Sequence, residues 1–415
     1  MDLVEYRDGV LHCEGVSLLK LAKRVKTPCY VYSASALTQN FQAFDTAMAQ
    51  VPHLVCFAVK ANANLSVLKL LAELGAGADV VSGGELFKAL KAGIPASKII
   101  YSGVGKTKDE IAYALKAGIL MFNVESEAEL HAICSQAKRL KKRAPISFRV
   151  NPDVDPQTHP YISTGLKNNK FGLPVEKAME LYEQAALWPE VELKGIDCHI
   201  GSQLTSLQPF LDAIDRLLFM LKRLHEKGIS LQYVDVGGGL GIRYKDETPP
   251  TPQAYGAAIC EKLASTGLTV IIEPGRAICG NAGGLLTRVI YVKDTGEKRF
   301  YIVDAAMNDL IRPSLYQAYH EIVPVRLPKT KKLVSANVVG PICESGDFLA
   351  KDRELPHLKA GDLLLVKSAG AYGFTMSSNY NARPRAAEVL IKDDGFQVVR
   401  KRETYSRLIQ DERMA

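Results

Sequence analysis

The sequence has no long apolar run. None of its hydrophobic stretches approaches the roughly 18 residues of a membrane-spanning helix. With 47% of the chain hydrophobic, that apolar content is expected in globular cores, and no membrane partner is expected. The first eight residues, Met1 to Asp8, are polar and charged. They lack the basic and then apolar order of a secretion signal, so the expected location is the cytoplasm. Eight cysteines and eight histidines are present, yet they form no CxxC, HxH or HxxxH spacing. This argues against a zinc site or a disulfide framework. The thiols are read as reduced, and no metal is expected. The basic runs Lys138–Arg143 and Arg326–Lys332 have no interleaved aromatics, which a single-strand nucleic-acid surface requires. No nucleic-acid partner is expected. The net charge of +7 is read as solvated faces with a mild attraction for anions.

What is present is a rhythm. The 415 residues allow two domains. Between residues 53 and 275, short β-rich runs alternate with helical spacing. The runs are 53–60, 78–82, 98–102, 119–124, 146–151, 193–199, 233–236 and 269–273. Helical periodicity lies between them, as in 128–140 and 209–225. Strand–helix alternation predicts a parallel sheet. Eight such units fit a closed (β/α)8 barrel of the TIM type, whose usual size is ~250 residues. A doubly wound open sheet is the alternative. After Arg276 the pattern turns strand-rich. A hairpin is expected over 286–304, followed by strands at 363–367, 387–392 and 397–401. The expected division is a barrel over 30–275 and a mainly β domain from 1–29 plus 276–415. Residues 9–12 are expected to pair into that second domain.

In a barrel of this kind, chemistry sits at the C-terminal ends of the strands. Here those ends carry Lys60, Asp79 with Ser82, Arg149 with Asn151, and His199 followed by Gly201 and Ser202. Gly237 to Gly239 and Glu273-Pro274-Gly275-Arg276 follow. Two glycine motifs mislead. Gly105-Lys106-Thr107 resembles the end of a P-loop, but the position of its first glycine is Ile100. Gly237 to Gly241 does not spell GxGxxG and is read as a tight turn whose N–H groups approach an anion.

Together these residues resemble a known pattern. Phe57-Ala-Val-Lys60-Ala-Asn62 is similar to the pyridoxal-phosphate lysine segment of fold-type III enzymes, the alanine racemases and the ornithine, arginine and diaminopimelate decarboxylases. Ala78 to Glu85 (ADVVSGGE), His199-Ile-Gly-Ser-Gln203, Gly237 to Gly239 and Glu273 to Arg276 follow in the decarboxylase order. Cys343-Glu-Ser-Gly-Asp347 and Ala371-Tyr-Gly373 complete the set over essentially the whole chain. Within the group, the segment 165–172, Arg312 to Tyr316 and Cys343 to Asp347 most resemble the diaminopimelate decarboxylases, which carry out the last step of bacterial lysine synthesis.

The resemblance implies roles. Lys60 is expected to hold pyridoxal 5′-phosphate covalently. His199 is expected on the ring face, Glu273 at the ring nitrogen, and Asp79 behind the site. Pro274 and Gly275 belong to the cofactor-binding turn. Ser202, Gly238, Gly239, Arg276 and Tyr372 are expected at the phosphate. Arg276, Arg312, Tyr316 and Tyr372 are expected at the substrate, with Glu344 at its far ammonium. Cys343 is expected to return a proton after CO2 leaves, since a thiol pKa near ~8.5 suits transfer close to neutral pH. The family also implies a homodimer in which Cys343 to Asp347 reaches the partner's site. Two alternatives remain open: another amino-acid or carboxylated-polyamine decarboxylase of this fold, and a non-catalytic pyridoxal-phosphate-binding protein.

Overall fold

The computed structural model describes residues 3–155, 158–159, 162, 164, 169–328 and 332–414. Part of the basic run 326–332 and residues 165–168 of the 165–172 motif lie outside them. The chain divides into two compact units. One comprises residues 40–242 and 248–277, and the other 1–39, 243–247 and 278–415.

The first unit is a closed parallel barrel. Its strands are β1 (His53–Ala58), β2 (Gly77–Val80), β3 (Ile99–Tyr101), β4 (Met121–Val124), β5 (Ala144–Asn151), β6 (Val191–Asp197), β7 (Tyr233–Asp235) and β8 (Thr269–Ile272). Each pairs in parallel with the next, β8 pairs with β1, and β4 pairs with β5, so the ring has no open edge. The open-sheet alternative is thereby excluded. All eight expected runs become strands. They read as nearly unbroken apolar segments because both faces of such a sheet are covered. Helices follow the strands as the spacing predicts, including Glu127–Leu140 and Gln208–Glu226. Ser82, Thr107 and Ser126 start three of these helices, each side-chain oxygen accepting a backbone N–H three residues on, which satisfies an otherwise orphaned donor.

The barrel interior has two characters. Cys56, Ile100, Met121 and Ile271 form an apolar layer, flanked by Leu54, Leu120 and Tyr233 near the strand beginnings. Further along the strands the layer is polar. Asn123 donates to Ser102 at 3.2 Å and to Asp235 at 3.4 Å, and accepts from Ser147 at 2.5 Å. A buried polar layer of this kind is tolerable only where its members bond one another.

The second unit is mainly β. Its long sheet runs Phe348–Pro356, Leu333–Val339, Arg299–Val303, Gly283–Asp294, Cys29–Ser33, Ala387–Lys392 and Gly395–Arg400. The expected hairpin is the antiparallel pair Gly283–Asp294 and Arg299–Val303. Residues 9–12 belong to the second unit, as expected. Val10–Cys13 pairs with Glu5–Arg7 and Val16–Ser17 in a three-stranded sheet of its own, and Val10 bridges Arg326, with the Leu11 N–H donating to Val325 and the Leu327 N–H to Gly9, each at 2.8 Å. The N-terminal strand that enters the long sheet is Cys29–Ser33, buried at every position. Two apolar faces meet here, as Leu11, Leu18 and Leu21 pack with Val31, Leu286, Leu365 and Val389.

Candidate active site

The C-terminal ends of the barrel strands surround a cavity of about 550 Å³. Its lining includes Lys60, Ser82, Arg149, Asp197, His199 and Glu273. That volume is in the usual range for small-molecule sites.

β1 stops at Ala58, whose N–H donates to the Pro274 carbonyl at 3.3 Å. A single 3-10 turn, Val59–Ala61, then carries Lys60 beyond the strand. Its Nζ lies 2.6 Å from Oδ2 of Asp79 on β2. Asp79 is wholly buried, whereas a third of the Lys60 side chain meets solvent. The amine is thus tethered at its base and open towards the cavity.

His199 follows β6. The N–H of Gly238 donates to its Nδ1 at 3.1 Å. A backbone N–H only donates, so Nδ1 carries the lone pair and a neutral ring has its proton on Nε2. Burial, then the positive charges of Arg149 and Lys60, drive the His199 pKa well below its ordinary value. The ring is therefore a neutral plate beside the cavity. Gly238, expected at a phosphate, has its N–H engaged with His199 in this structure. A Cβ there would lie 2.2 Å from the Glu273 carbonyl oxygen, so only glycine lets this turn approach β8.

Glu273 ends β8. It is buried, Oε1 has no hydrogen-bond partner among the described residues, and Oε2 lies 3.9 Å from Nδ1 of His199. Burial and then the negative charges of Asp235, Asp79 and Asp197 raise its pKa well above the carboxylate range, with Lys60 opposing. Asp197 is raised well above its ordinary value by burial and by Asp235, and Asp235 rises to about 7, chiefly by burial. A close set of buried acids held this way requires a cation or a shared proton.

Gly275 packs so tightly on β1 that a Cβ would lie 2.9 Å from that of Ala58. The turn then delivers Arg276, whose Nε and Nη2 donate to Ser202 Oγ at 3.3 and 3.0 Å. Two of the expected phosphate donors are thereby brought together.

The other expected residues fall on the second unit. Arg312 begins the short helix Arg312–Tyr316 and is buried. Cys343 is exposed, and its backbone N–H donates to Asn381 at 2.9 Å. Asp347 ties the same loop down by accepting from Ile342 and Met307, each at 2.7 Å. Tyr372 has positive φ, 54°, a conformation uncommon outside glycine and often found where function fixes the backbone.

Sequence reasoning missed Asp197, Asp235 and Glu125. The first two are the last residues of their strands, a position that was legible. Glu125 accepts from Arg149 at 3.1 Å, Gly103 at 2.9 Å and Gly172 at 3.0 Å, a loop-joining role with no local signature. The misleading Gly105-Lys106-Thr107 has structural work instead. Lys106 is buried, 2.6 Å from Glu129, and donates to two backbone carbonyls, while Thr107 forms a capping box with Glu110.

A ligand with a carbonyl for an amine, a protonatable ring nitrogen and a phosphate fits the described groups. Lys60 offers the amine, Glu273 an unpartnered buried oxygen, His199 a flat neutral face, and Ser202 with Arg276 an anion-binding pair. Comparison with known proteins agrees. Residues 34–280 match the family described as pyridoxal-dependent decarboxylase, pyridoxal binding domain. A diaminopimelate decarboxylase of Pseudomonas aeruginosa is 56% identical over 412 residues, covering 99% of both chains. The crystal structure of diaminopimelate decarboxylase from Helicobacter pylori complexed with L-lysine has a TM-score of 0.92 at 44% identity, covering 95% of this chain and 98% of that one. That of M. jannaschii has a TM-score of 0.95 at 40% identity, covering 100% and 98%. From the first strand to the last, in sequence and in fold, the chain belongs to the diaminopimelate decarboxylase family of pyridoxal-dependent decarboxylases.

Proposed function

We propose that the protein removes CO2 from meso-2,6-diaminopimelate to give L-lysine, with pyridoxal 5′-phosphate as cofactor. The observation that carries this reading is the convergence of Lys60, His199 and the buried Glu273 on one cavity. When bound, the cofactor supplies the electron sink for the pair left behind by departing CO2.

The chain's own residues do the rest. Lys60 holds the cofactor through Nζ, and Asp79 orients that amine. Glu273, whose buried Oε1 has no hydrogen-bond partner among the described residues, would hold the ring nitrogen. A carboxylate there favours the protonated nitrogen, and a protonated ring draws electrons more strongly. His199, which lines the same cavity, would face the ring. Ser202, Arg276, Gly239 and Tyr372 take the phosphate. Gly238 acts there through the His199 tautomer, and Pro274 with Gly275 set the turn.

Diaminopimelate has an amino-acid group at each end, so its non-reacting end carries a carboxylate and an ammonium. Arg276, Arg312, Tyr316 and Tyr372 are assigned to the substrate, with Arg312 and Tyr316 on that carboxylate and Glu344 on the ammonium. Charge-assisted contacts of this type discriminate strongly against substrates lacking the group. This favours diaminopimelate over ornithine or arginine, which have no second carboxylate. Cys343 delivers a proton to the carbon that CO2 leaves. Its exposure suits the further proposal that the working form is a homodimer in which Cys343 and Glu344 serve the partner's site. Among the described residues no helix is long and apolar enough to cross a membrane, and cytoplasm is the proposed compartment.

The test is purified protein with pyridoxal phosphate and meso-diaminopimelate, following CO2 and L-lysine beside ornithine and arginine. Lysine from diaminopimelate alone, lost in Lys60→Ala, is expected. Bound cofactor without CO2 from any substrate would instead favour a non-catalytic binding protein. Product from ornithine or arginine would remove Arg312 from its assigned role.

A further inference from the structure

Arg312 does not stand alone in the second unit. Its Nη1 lies 2.7 Å from Nε2 of His320, and Nδ1 of His320 lies 2.8 Å from the backbone carbonyl of Lys367. The chemistry of the partners settles the protons. A guanidinium only donates, so Nε2 must accept, and a carbonyl only accepts, so Nδ1 must carry hydrogen. His320 is thereby a neutral imidazole of one tautomer, with its lone pair aimed at Arg312. The ring has no solvent exposure. Its own backbone carbonyl accepts from Arg353 Nη1 at 2.8 Å, and the Arg353 guanidinium lies 3.8 Å from the centre of the Tyr319 ring. Tyr244 completes the arrangement. Its ring lies 4.5 Å from the Arg312 guanidinium carbon and meets His320 edge-on at 5.5 Å.

An arginine side chain swings about several rotatable bonds and loses that freedom when it engages a ligand. Here one edge of the fork is pinned by a neutral acceptor and one face is backed by an aromatic ring. A neutral partner holds the guanidinium without neutralising it, whereas a carboxylate in the same place would compete with an anionic substrate. We propose that His320 is a positioning residue: as an uncharged acceptor it sets the Arg312 guanidinium for the substrate's non-reacting carboxylate without itself neutralising the charge. This rests on the reading of Arg312 as a carboxylate-binding residue.

The test compares His320→Asn with His320→Gln in the cofactor-loaded enzyme. The glutamine amide reaches the place of Nε2 and restores an acceptor, while that of asparagine reaches only the place of Nδ1. His320→Asn is expected to raise KM for diaminopimelate about tenfold, the weight of one hydrogen bond to a charged group, with kcat within about twofold. His320→Gln is expected to recover most of that loss. L-Lysine keeps the non-reacting carboxylate, so its inhibition constant should rise in parallel with KM, reporting binding apart from chemistry. In an Arg312→Ala background, His320→Asn should add less than about twofold. Equal KM values for the two His320 variants, or full additivity with Arg312→Ala, overturn the positioning role. An unaltered KM in Arg312→Ala overturns the reading beneath it instead, so the two failures are distinct. Should His320→Asn not fold by circular dichroism, His320→Ala with and without added imidazole makes the same comparison. A KM lowered by imidazole supports the proposal, and one unmoved by it overturns the proposal.

Discussion

Nζ of Lys60 and Oδ2 of Asp79 are 2.6 Å apart, and the carboxylate has no exposure to solvent. Shielded from bulk solvent, the aspartate has the lysine amine as a counterion and aims it. Asp79→Asn keeps the shape and removes that aim. It is expected to slow turnover about 10- to 100-fold, the cost of a misplaced reacting group, and to slow uptake of added cofactor. Steady-state kinetics and the rise of cofactor absorbance on mixing check both. Wild-type uptake in the variant would remove Asp79 from the site.

Gly238→Ala tests the turn after β7. The added methyl carbon would stand 2.2 Å from the Glu273 carbonyl oxygen. The turn must retreat, and its N–H leaves His199. A destabilisation of about 1–3 kcal/mol is expected from the overpacking, with weaker cofactor retention. Denaturant unfolding and absorbance titration measure the two effects.

The buried acids make a pH prediction for the cofactor-free protein. Burial raises Asp235 to about 7, and burial with mutual repulsion holds Glu273 and Asp197 well above their ordinary values. In the unfolded chain these groups titrate near ~4. The folded state therefore binds protons more tightly, for Asp235 across the interval from about 4 to 7, with Glu273 and Asp197 acting in the same direction. Its stability is fully present below that interval and is lost as pH rises through it. His199, with its pKa lowered, works in the opposite sense, but only below about 6.5. Cofactor-free protein is expected to melt roughly several degrees lower at pH 8 than at pH 6. Bound cofactor, bringing a cationic ring nitrogen to Glu273, should shrink the difference. Calorimetry at both pH values, with and without cofactor, decides. A free protein equally stable at pH 8 would contradict this picture of the acids.

Cys343→Ala separates chemistry from structure. The thiol is exposed, so folding stability should change by no more than about 0.5 kcal/mol and cofactor absorbance should be unaltered. Turnover should fall by about 10²–10⁴, the usual weight of a proton-transferring group. A variant with wild-type turnover would exclude the thiol as donor.

The barrel was legible because its strands are short, buried on both faces and separated by capped helices, so apolar runs and Ser or Thr caps mark their ends. The boundary at Lys60 was not. The apolar run continues to Val59, yet the strand stops at Ala58, where the Pro274 carbonyl takes the last ladder N–H. That partner is more than 200 positions away and leaves no local trace. Lys60, Glu273 and Arg276 could be found by their places at strand ends. Glu125 and His320 could not, because their importance lies in which carbonyl, amide or guanidinium a fold brings to them. For residues 9–12 the domain was legible but the partner at Arg326 was not, because an alternating strand pattern does not say which edge receives it.

The sheet order of the second unit has a consequence during synthesis. Cys29–Ser33 is among the first segments to leave the ribosome, and Ala387–Lys392, which lies parallel to it, is among the last. The barrel strands are all made by residue 272, so the ring has every strand it needs well before translation ends. Until Ala387–Lys392 is made, a strand buried at every position in the finished sheet waits with an edge bare, and bare edges recruit other chains. A nascent chain stalled before residue 387 would hold a complete barrel joined to an adhesive, unfinished sheet.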